Sequence, residues 1–209
     1  MRTRVKICGL TRGGDLEAAI ALGVDAVGLV FHPASPRAVS IDQAAVLARA
    51  VPAFVSVVGL FVDAEPAWVH AVLKRVPLAA LQFHGREPPD YCAQFGRPWL
   101  KALAVAADSD VLALTRRYDQ AASWLLDTYD PALAGGTGRA FDWRLIPPEL
   151  AGRIVLAGGL NPDNVAAAIA QVRPHAVDVS GGVESGKGLK DAVKMAAFMQ
   201  GVRDGDRSR

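Results

Sequence analysis

The feature that most constrains the fold is an eightfold alternation of short apolar runs and Ala-rich amphipathic segments along the chain. The apolar runs have the length and residue types of buried strands, and the segments between them have the helical spacing of apolar residues. Strands that alternate with helices form right-handed βαβ crossovers and a parallel sheet. Eight such units predict an α/β fold of the (β/α)8 TIM-barrel type.

The alternative architecture for such a pattern is an open, doubly wound sheet. That fold more often has six or fewer strands, and it carries a glycine fingerprint directly after the first strand. The segment "GLTRGG" at positions 9–14 is not that fingerprint. The 209 residues show no shift in composition that would mark a linker, so we expect one domain over residues 1–209, more compact than the roughly 250 residues typical of the fold.

Composition and charge exclude several classes of function. The formal net charge is +2 and no basic run stands out, so we expect neither nucleic acid nor a membrane surface as a partner. No apolar run reaches the roughly 18 residues of a membrane-spanning helix, and the N-terminus lacks the pattern of a signal peptide. Two cysteines, Cys8 and Cys92, do not make a disulfide framework, which favours a cytoplasmic location.

In a barrel strand, alternate side chains face the interior and the surrounding helices. In "RVKIC", Val5 and Ile7 share the face that suits the helices, so Lys6 and Cys8 should point inward. Active sites of this fold lie at the carboxyl ends of the strands. The same argument points five more polar side chains inward, mostly at that end: Gln82, His84, Asp127, Asp178 and Ser180.

Three local predictions follow from this arrangement. The first and eighth strands are neighbours in a closed barrel, so Lys6 should pair with Asp178, because two unpaired buried charges would be costly. Ser40, with a glutamine three residues later, has the spacing of a capping box at the start of the second helix. Asn161 and Pro162 match an N-cap and the first residue of the helix after the seventh strand.

Cys8 ends the first strand, at the rim of the predicted site. It can be a small buried hydrophobic side chain, as most free cysteines are, or a functional thiol. A nearby cation such as Lys6 lowers the pKa of a thiol and favours the thiolate, which is the form that accepts a proton. The spacing alone leaves the two interpretations balanced, whereas Cys92, on a helix, is interpreted as a packing residue.

Asp127 ends the sixth strand, directly before a long loop. A carboxylate in this position can cap a turn. It can also act as a general acid if the apolar neighbours Leu125 and Leu126 raise its pKa. Cys8 and Asp127 would then face each other across one barrel mouth as a base and an acid.

Glycine pairs follow the seventh and eighth strands, in "GGLNPDN" and "SGGVESGKG". Glycines let backbone N–H groups approach an anion, and the start of a short helix adds a favourable dipole. Loops at these two positions are the usual phosphate site of TIM barrels. We therefore favour a phosphate site over two flexible turns, with Gly158, Gly159, Ser180 and Gly181 as its residues.

Two more side chains and one loop complete the list of candidates. The guanidinium of Arg37 suits a substrate carboxylate, but a solvated surface position fits it as well. His84 is either a binding residue or an internally satisfied polar group. Gly135, Gly136 and Gly138 predict soft points in a mobile lid. No pair of His, Asp or Glu residues has metal-ligand spacing, so we predict no metal.

Six motifs, spread from the first strand to the eighth, resemble those of the phosphoribosylanthranilate isomerase family: "KICGLTR", "GLVFHPASPRAVS", "LQFHGRE", "LLDTYDPALAGGTGRAFDW", "LAGGLNPDNV" and "DVSGGVESGKGLKD". The KICGLT start and the GGTGxxFDW stretch are the most specific. The resemblance implies a (β/α)8 barrel of tryptophan biosynthesis that carries out an Amadori rearrangement of N-(5-phosphoribosyl)anthranilate. It implies no metal, redox or organic cofactor.

The resemblance also implies roles for individual residues. Cys8 matches the family's general base, and Asp127 matches its general acid. Arg37 matches the arginine that holds the anthranilate group, and the glycine loops match the phosphate site. We expect a small-molecule phosphosugar as the substrate and a monomer or a homodimer as the assembly.

Two other functions stay open at this point. A phosphosugar enzyme of the Schiff-base aldolase type could use Lys101 of the fifth strand as its nucleophile, although we expect Lys101 to be an inward-facing, paired lysine. A non-catalytic sensor of a phosphate ligand would need the same glycine loops. The presence of candidates for both an acid and a base favours the isomerase.

Overall fold

A computed structural model of the chain describes residues 2–128 and 141–208. The predicted lid, with Gly135, Gly136 and Gly138, lies outside the described residues. Eight parallel strands close into a barrel in sequence order, with the last strand paired to the first, which confirms the predicted TIM barrel. The strands are β1 Arg4–Cys8, β2 Ala26–Val30, β3 Ser56–Phe61, β4 Ala80–Phe83, β5 Trp99–Val105, β6 Ser123–Thr128, β7 Ile154–Leu156 and β8 Ala176–Val179.

Helices pack outside the barrel between most of the strands. Between β6 and β7, the described residues form two 3₁₀ segments, Trp143–Leu145 and Pro148–Arg153. A short antiparallel hairpin of β9 Glu184–Gly186 and β10 Leu189–Lys190 follows β8. No described helix is long and apolar enough to cross a membrane. The helices are α1 Gly13–Ala21, α2 Ile41–Arg49, α3 Pro66–Arg75, α4 Pro89–Ala93, α5 Val111–Arg117, α6 Val165–Val172 and α7 Ala192–Arg207.

The strand residues separate into an outer and an inner face, as the alternation predicts. On β1, Val5 and Ile7 are almost completely buried in the large cluster between the barrel and the helices. Cys8 instead packs inside the barrel, against Val30 and Leu60. Burial on both faces explains why these strands are nearly continuous apolar runs. A second interior cluster consists of Leu100, Ala102, Leu125, Val155, Ala157 and Ala176.

The predicted ion pair between the first and last strands is present. Lys6 and Asp178 are directly opposite in the β1–β8 register, and Nζ of Lys6 lies 3.0 Å from Oδ2 of Asp178. The two side chains are 5% and 8% exposed, so the pair lies inside the barrel. The inward assignment of both residues is therefore confirmed.

Both predicted helix caps make their side-chain hydrogen bonds, although the second helix begins later than predicted. The side-chain oxygen of Ser40 accepts a hydrogen bond from the backbone N–H of Gln43, as the first half of a capping box requires. The predicted cap at Asn161 makes the hydrogen bonds of an N-cap, because its side chain accepts from the backbone N–H groups two and three residues later. Its backbone oxygen accepts from the N–H of Val165, but α6 itself begins at Val165, so the predicted first helical residue, Pro162, lies in the turn before the helix.

Lys101 is paired, as expected, but it faces outward, which corrects the predicted inward orientation. In the sheet it is level with Phe83 of β4 and Trp124 of β6, and both of these pack in the outer cluster. Its Nζ lies 3.1 Å from Oε2 of Glu87 and donates to the backbone oxygens of Phe83 and Gly85. The loop after β4 thus folds over β5 and satisfies the ammonium group outside the barrel.

Replacement of Lys101 by Met should lower the free energy of unfolding by about 3–5 kcal/mol, because it leaves the Glu87 carboxylate buried without its cation. Both side chains of this pair are only 2% exposed. Urea denaturation followed by circular dichroism measures the loss. Arg75→Met, which breaks an exposed pair with Asp42, is the control and should cost less than about 1 kcal/mol. Equal losses in the two variants would contradict this account of the buried pair.

Candidate active site

A cavity of about 440 Å³ opens at the carboxyl ends of the barrel strands. This is the end at which TIM barrels carry their active sites. All the residues that the sequence pointed to as catalytic or binding line this cavity: Cys8, Arg37, His84, Asp127, Gly158, Gly159, Ser180 and Gly181. They come from the ends of β1, β4, β6 and β8 and from the loops after β2, β7 and β8. The closed barrel is what brings these distant positions together.

Cys8 lies at the carboxyl end of β1, opposite Gly28 of β2. A methyl group added at Gly28 would lie 2.6 Å from the Cys8 sulfur, so only glycine leaves room for this thiol. Burial raises the pKa of Cys8 above its ordinary value of 9.0, although Lys6 and Lys190 oppose the shift. This result corrects the expectation that nearby positive charge would lower that pKa, because desolvation outweighs the attraction of the cations.

The Asp127 carboxyl group is held by β6 and by a histidine from β4. Its Oδ1 accepts from the backbone N–H of Thr128 at 2.8 Å, and its Oδ2 lies 3.2 Å from Nε2 of His84. The other ring nitrogen of His84 lies 3.1 Å from Nε2 of the buried Gln82. Since the Gln82 amide can donate to Nδ1, the histidine can direct its Nε2–H at Asp127. His84 is therefore the direct partner of the candidate acid.

The glycine loops after β7 and β8 meet at one side of the cavity. Gly158 and Gly159 have φ angles of +77° and +66°, a left-handed conformation that favours glycine. A methyl group at Gly158 would also meet the backbone nitrogen of Thr128 at 2.5 Å, so this loop lies tightly against β6. Within residues 2–128 and 141–208, the backbone N–H groups of Gly158, Gly159 and Gly181 make no hydrogen bond. Three such groups around a cavity are suited to an anion.

Ser180 ties the loop after β8 to the first strand. Its hydroxyl donates to the backbone oxygen of Cys8 at 3.0 Å. A 3₁₀ turn over Gly181–Val183 follows directly. The candidate base and the loop after β8 are therefore in direct contact, although they lie at opposite ends of the sequence.

Arg37 reaches the cavity from the loop after β2, and its guanidinium is already paired. Nε and Nη2 donate to the two carboxylate oxygens of Glu184 at 2.7 and 2.8 Å. The side chain is 17% exposed, so it is not the solvated surface arginine that the sequence left open. Sequence reasoning assigned no role to Glu184, nor to Lys190, which binds the same carboxylate.

Gln82 and Asp178 line the cavity, and each has one buried acceptor atom without a partner among the described residues, Oε1 of Gln82 and Oδ1 of Asp178. Such atoms are uncommon in folded proteins. The alternation of β4 and β8 placed both side chains inside the barrel, but it could not show that each would keep a free oxygen.

The described residues give little support to a metal site, a reactive Cys92 or a nucleophilic Lys101. No group of three or more His, Cys, Asp and Glu side chains there is arranged to hold a metal ion. Cys92 is buried on α4, and burial raises the pKa of its thiol to about 12, as befits a packing residue. Lys101, the nucleophile of the aldolase alternative, does not line the cavity.

Comparison with known proteins agrees with this geometry. The sequence model of the family described as N-(5'phosphoribosyl)anthranilate (PRA) isomerase matches residues 5–201. The N-(5'-phosphoribosyl)anthranilate isomerase of Thiobacillus denitrificans is 58% identical over 199 residues, which are 95% of this chain and 97% of that protein.

Two solved structures are similar over nearly their whole length. A phosphoribosyl anthranilate isomerase in complex with reduced 1-(o-carboxyphenylamino)-1-deoxyribulose 5-phosphate has a TM-score of 0.85 and 39% identity, covering 96% of this chain and 98% of that chain. Monomers generated from the dimeric isomerase of Thermotoga maritima give a TM-score of 0.84 and 38% identity, with the same coverage. The chain belongs to the N-(5'-phosphoribosyl)anthranilate isomerase family.

Proposed function

We propose that the chain catalyses the Amadori rearrangement of N-(5-phosphoribosyl)anthranilate to 1-(2-carboxyphenylamino)-1-deoxyribulose 5-phosphate, a step of tryptophan biosynthesis. The observation that carries the proposal is that Cys8 and Asp127 line one cavity whose rim also holds two glycine loops and Arg37. A relative with the same fold binds the reduced form of this product. The reaction needs one acid, one base and sites for a phosphate and a carboxylate.

The rearrangement moves two protons. Asp127 donates a proton to the ring oxygen of the ribose, and the ring opens to a Schiff base between C1′ and the anthranilate nitrogen. The Schiff base acidifies the proton on C2′, which the Cys8 thiolate removes to give an enolamine. The enolamine tautomerises to the ketone product, and proton exchange restores the carboxylic acid and the thiolate. The reaction is an isomerisation, so no atoms enter or leave.

The cavity suggests an orientation for the substrate. The backbone N–H groups of Gly158, Gly159 and Gly181 have no partner among the described residues, and together with Ser180 they form the side that suits the 5-phosphate. Arg37 then receives the anthranilate carboxylate, since a guanidinium forms strong charge-assisted hydrogen bonds with a carboxylate.

The side chains of Gln82, His84 and Asp178 line the cavity between these two ends. His84, expected as a binding residue, acts in this scheme through its contact with Asp127, which it holds in place.

The two other functions have less support. The aldolase alternative needs a lysine amine in the cavity, whereas Lys101 lies on the outer face of the barrel and is bound to Glu87. The sensor alternative gives no role to the candidate acid and the candidate base that line the same cavity. We further propose that the protein is cytoplasmic and acts as a monomer or a homodimer; the Thermotoga maritima relative is dimeric.

Replacement of Cys8 by Ser and of Asp127 by Asn should each lower kcat by about 10²–10⁴-fold, because each removes one proton-transfer group from the transition state. KM should change little, since neither group is proposed to hold the substrate's charged ends. The assay follows the decay of fluorescence of freshly generated phosphoribosylanthranilate. The conservative change Asp42→Asn on the exposed face of α2 is the control and should leave kcat unchanged. Normal turnover in either active-site variant would refute the role given to that residue.

The pH dependence of thiol alkylation should reflect the raised pKa of Cys8. Because burial holds that pKa above its ordinary value of 9.0, the thiolate is the minor form at pH 7 and its fraction grows with pH. From pH 7 to 9, the rate of inactivation by iodoacetamide should therefore rise by up to about tenfold per unit. Lys6→Met removes a cation that opposes the shift, so the rise should extend to still higher pH. An inactivation rate that is already constant near pH 7 would contradict the raised pKa.

Gly28→Ala should lower kcat by about 10–100-fold, because the added methyl group displaces the Cys8 sulfur and small misplacements of a catalytic group are costly. Gly14→Ala is the matched control, since a methyl group at Gly14 on α1 meets no atom within 4 Å. It should keep full activity. Steady-state kinetics measure kcat for both variants, and thermal melts verify that both fold. Similar kcat values in the two variants would contradict the proposal that the methyl group at Gly28 acts by displacing the Cys8 sulfur.

A further inference from the structure

The guanidinium of Arg37 is held by two side chains to which the proposed reaction gives no role. Glu184 accepts from Nε and Nη2 of Arg37 in a bidentate pair. Glu184 is bound from its other side by Lys190, whose Nζ lies 2.8 Å from Oε1 of Glu184. The Lys190 side chain is fully buried and that of Glu184 is 6% exposed. We call Arg37, Glu184 and Lys190 the Arg37 cluster.

The Arg37 cluster is fixed on several sides. Nζ of Lys190 also donates to the backbone oxygen and the hydroxyl of Ser180, at 3.1 and 3.3 Å, so the cluster is tied to the proposed phosphate loop. A methyl group at Gly9 would lie 2.5 Å from Cδ of Arg37, so that side chain has little freedom of movement. The guanidinium is therefore oriented before any ligand arrives, so less side-chain entropy is lost when a ligand binds.

The charges of the Arg37 cluster do not cancel. Although burial favours a neutral Glu184, hydrogen bonds from Arg37 and Lys190 lower its pKa below the usual value, and it stays ionised. Burial lowers the pKa of Lys190 below its ordinary value of 10.5, and the hydrogen bond to Glu184 opposes that shift by favouring the ammonium form. With two cations on one carboxylate, the three side chains carry a net charge of +1. A simple pair of Arg37 and Glu184 would be neutral and would attract a second carboxylate only weakly. Lys190 provides the missing positive charge.

We infer that Glu184 and Lys190 are positioning residues for the substrate's carboxylate and act through Arg37. Glu184 fixes the plane of the guanidinium through Nε and Nη2, and it leaves Nη1 without a partner among the described residues. Lys190 offsets the charge of Glu184 and keeps the cluster attractive to an anion. This inference rests on the proposed function, in which Arg37 binds the anthranilate carboxylate.

Two stable ligands test the inference by isothermal titration calorimetry. One is reduced 1-(o-carboxyphenylamino)-1-deoxyribulose 5-phosphate, and the other is the same compound without its carboxyl group. Glu184→Gln and Lys190→Met should each weaken binding of the first ligand about tenfold or more, the range for losing a hydrogen bond to a charged group. Binding of the second ligand should change less than about twofold, because it offers nothing to Arg37.

Asp42→Asn provides the matched control, because it also removes a carboxylate from an arginine, in an exposed pair with Arg75. It should leave the affinity for both ligands unchanged. A purely structural role of Glu184 in the loop after β8 would weaken both ligands equally, and that result would overturn the inference. Unchanged binding of the first ligand would overturn it too. Tighter binding of that ligand by Glu184→Gln would also overturn it, because Glu184 would then be a competitor for Arg37.

Arg37→Ala separates this inference from the proposed function. A loss confined to the carboxylate ligand in Arg37→Ala, together with equal losses for both ligands in Glu184→Gln, refutes only the positioning role. Equal losses for both ligands in Arg37→Ala itself, or none, refute the proposed carboxylate site. Thermal melts identify any variant that does not fold; if Glu184→Gln is one, Lys190→Met decides, because it leaves the pair of Arg37 and Glu184 in place.

Discussion

The ion pair between Lys6 and Asp178 is the interaction on which the site depends. Both charges lie inside the barrel, where an ion without its partner would cost several kcal/mol. The pair joins the first strand to the last, so it favours the register in which Lys6 is level with Asp178. In that register, Cys8 and Ser180 end their strands at the same rim and are hydrogen-bonded. Barrel closure and assembly of the site are thus two consequences of one pairing.

The fold and the inner face of the barrel could be predicted because both depend on local periodicity. Alternation with a period of two determines which side chains of a strand share a face, and eight strand–helix units determine the architecture. Lys6, His84 and Asp178 were therefore placed correctly without any knowledge of their partners. A polar residue in an apolar strand strongly indicates a functional or paired side chain in this fold, because both faces of the strand are buried.

The inward prediction for Lys101 was wrong because a charged residue need not face the interior to find a partner. Its neighbours Leu100 and Ala102 take the inner face, and the alternation itself placed Lys101 outside. Only the loop after β4, which supplies Glu87 and two backbone oxygens, makes that position acceptable for an ammonium group. No short sequence pattern encodes such a contact. Glu184 escaped prediction for the same reason, since it meets Arg37 across 147 residues of chain.

The environment of Cys8 could not be predicted from the sequence either, and this environment determines the pKa of the proposed base. Lys6, two residues away, is visible in the sequence, but the packing of Cys8 against Val30 of β2 and Leu60 of β3, which keeps water from the thiol, is not. Desolvation prevails and raises the pKa of the thiol, so the thiolate is scarce at neutral pH.

A scarce thiolate is also a stronger base. Proton abstraction from carbon needs basicity, and a higher pKa increases the driving force while it lowers the population of the reactive form. Asp127 has a different environment, with a histidine and a backbone N–H as its partners in place of an apolar cluster. Asp127 is proposed to donate a proton to the substrate and Cys8 to accept one from it, and different surroundings allow one barrel mouth to hold both an acid and a base. The barrel provides it by placing one group among aliphatic side chains and the other beside His84.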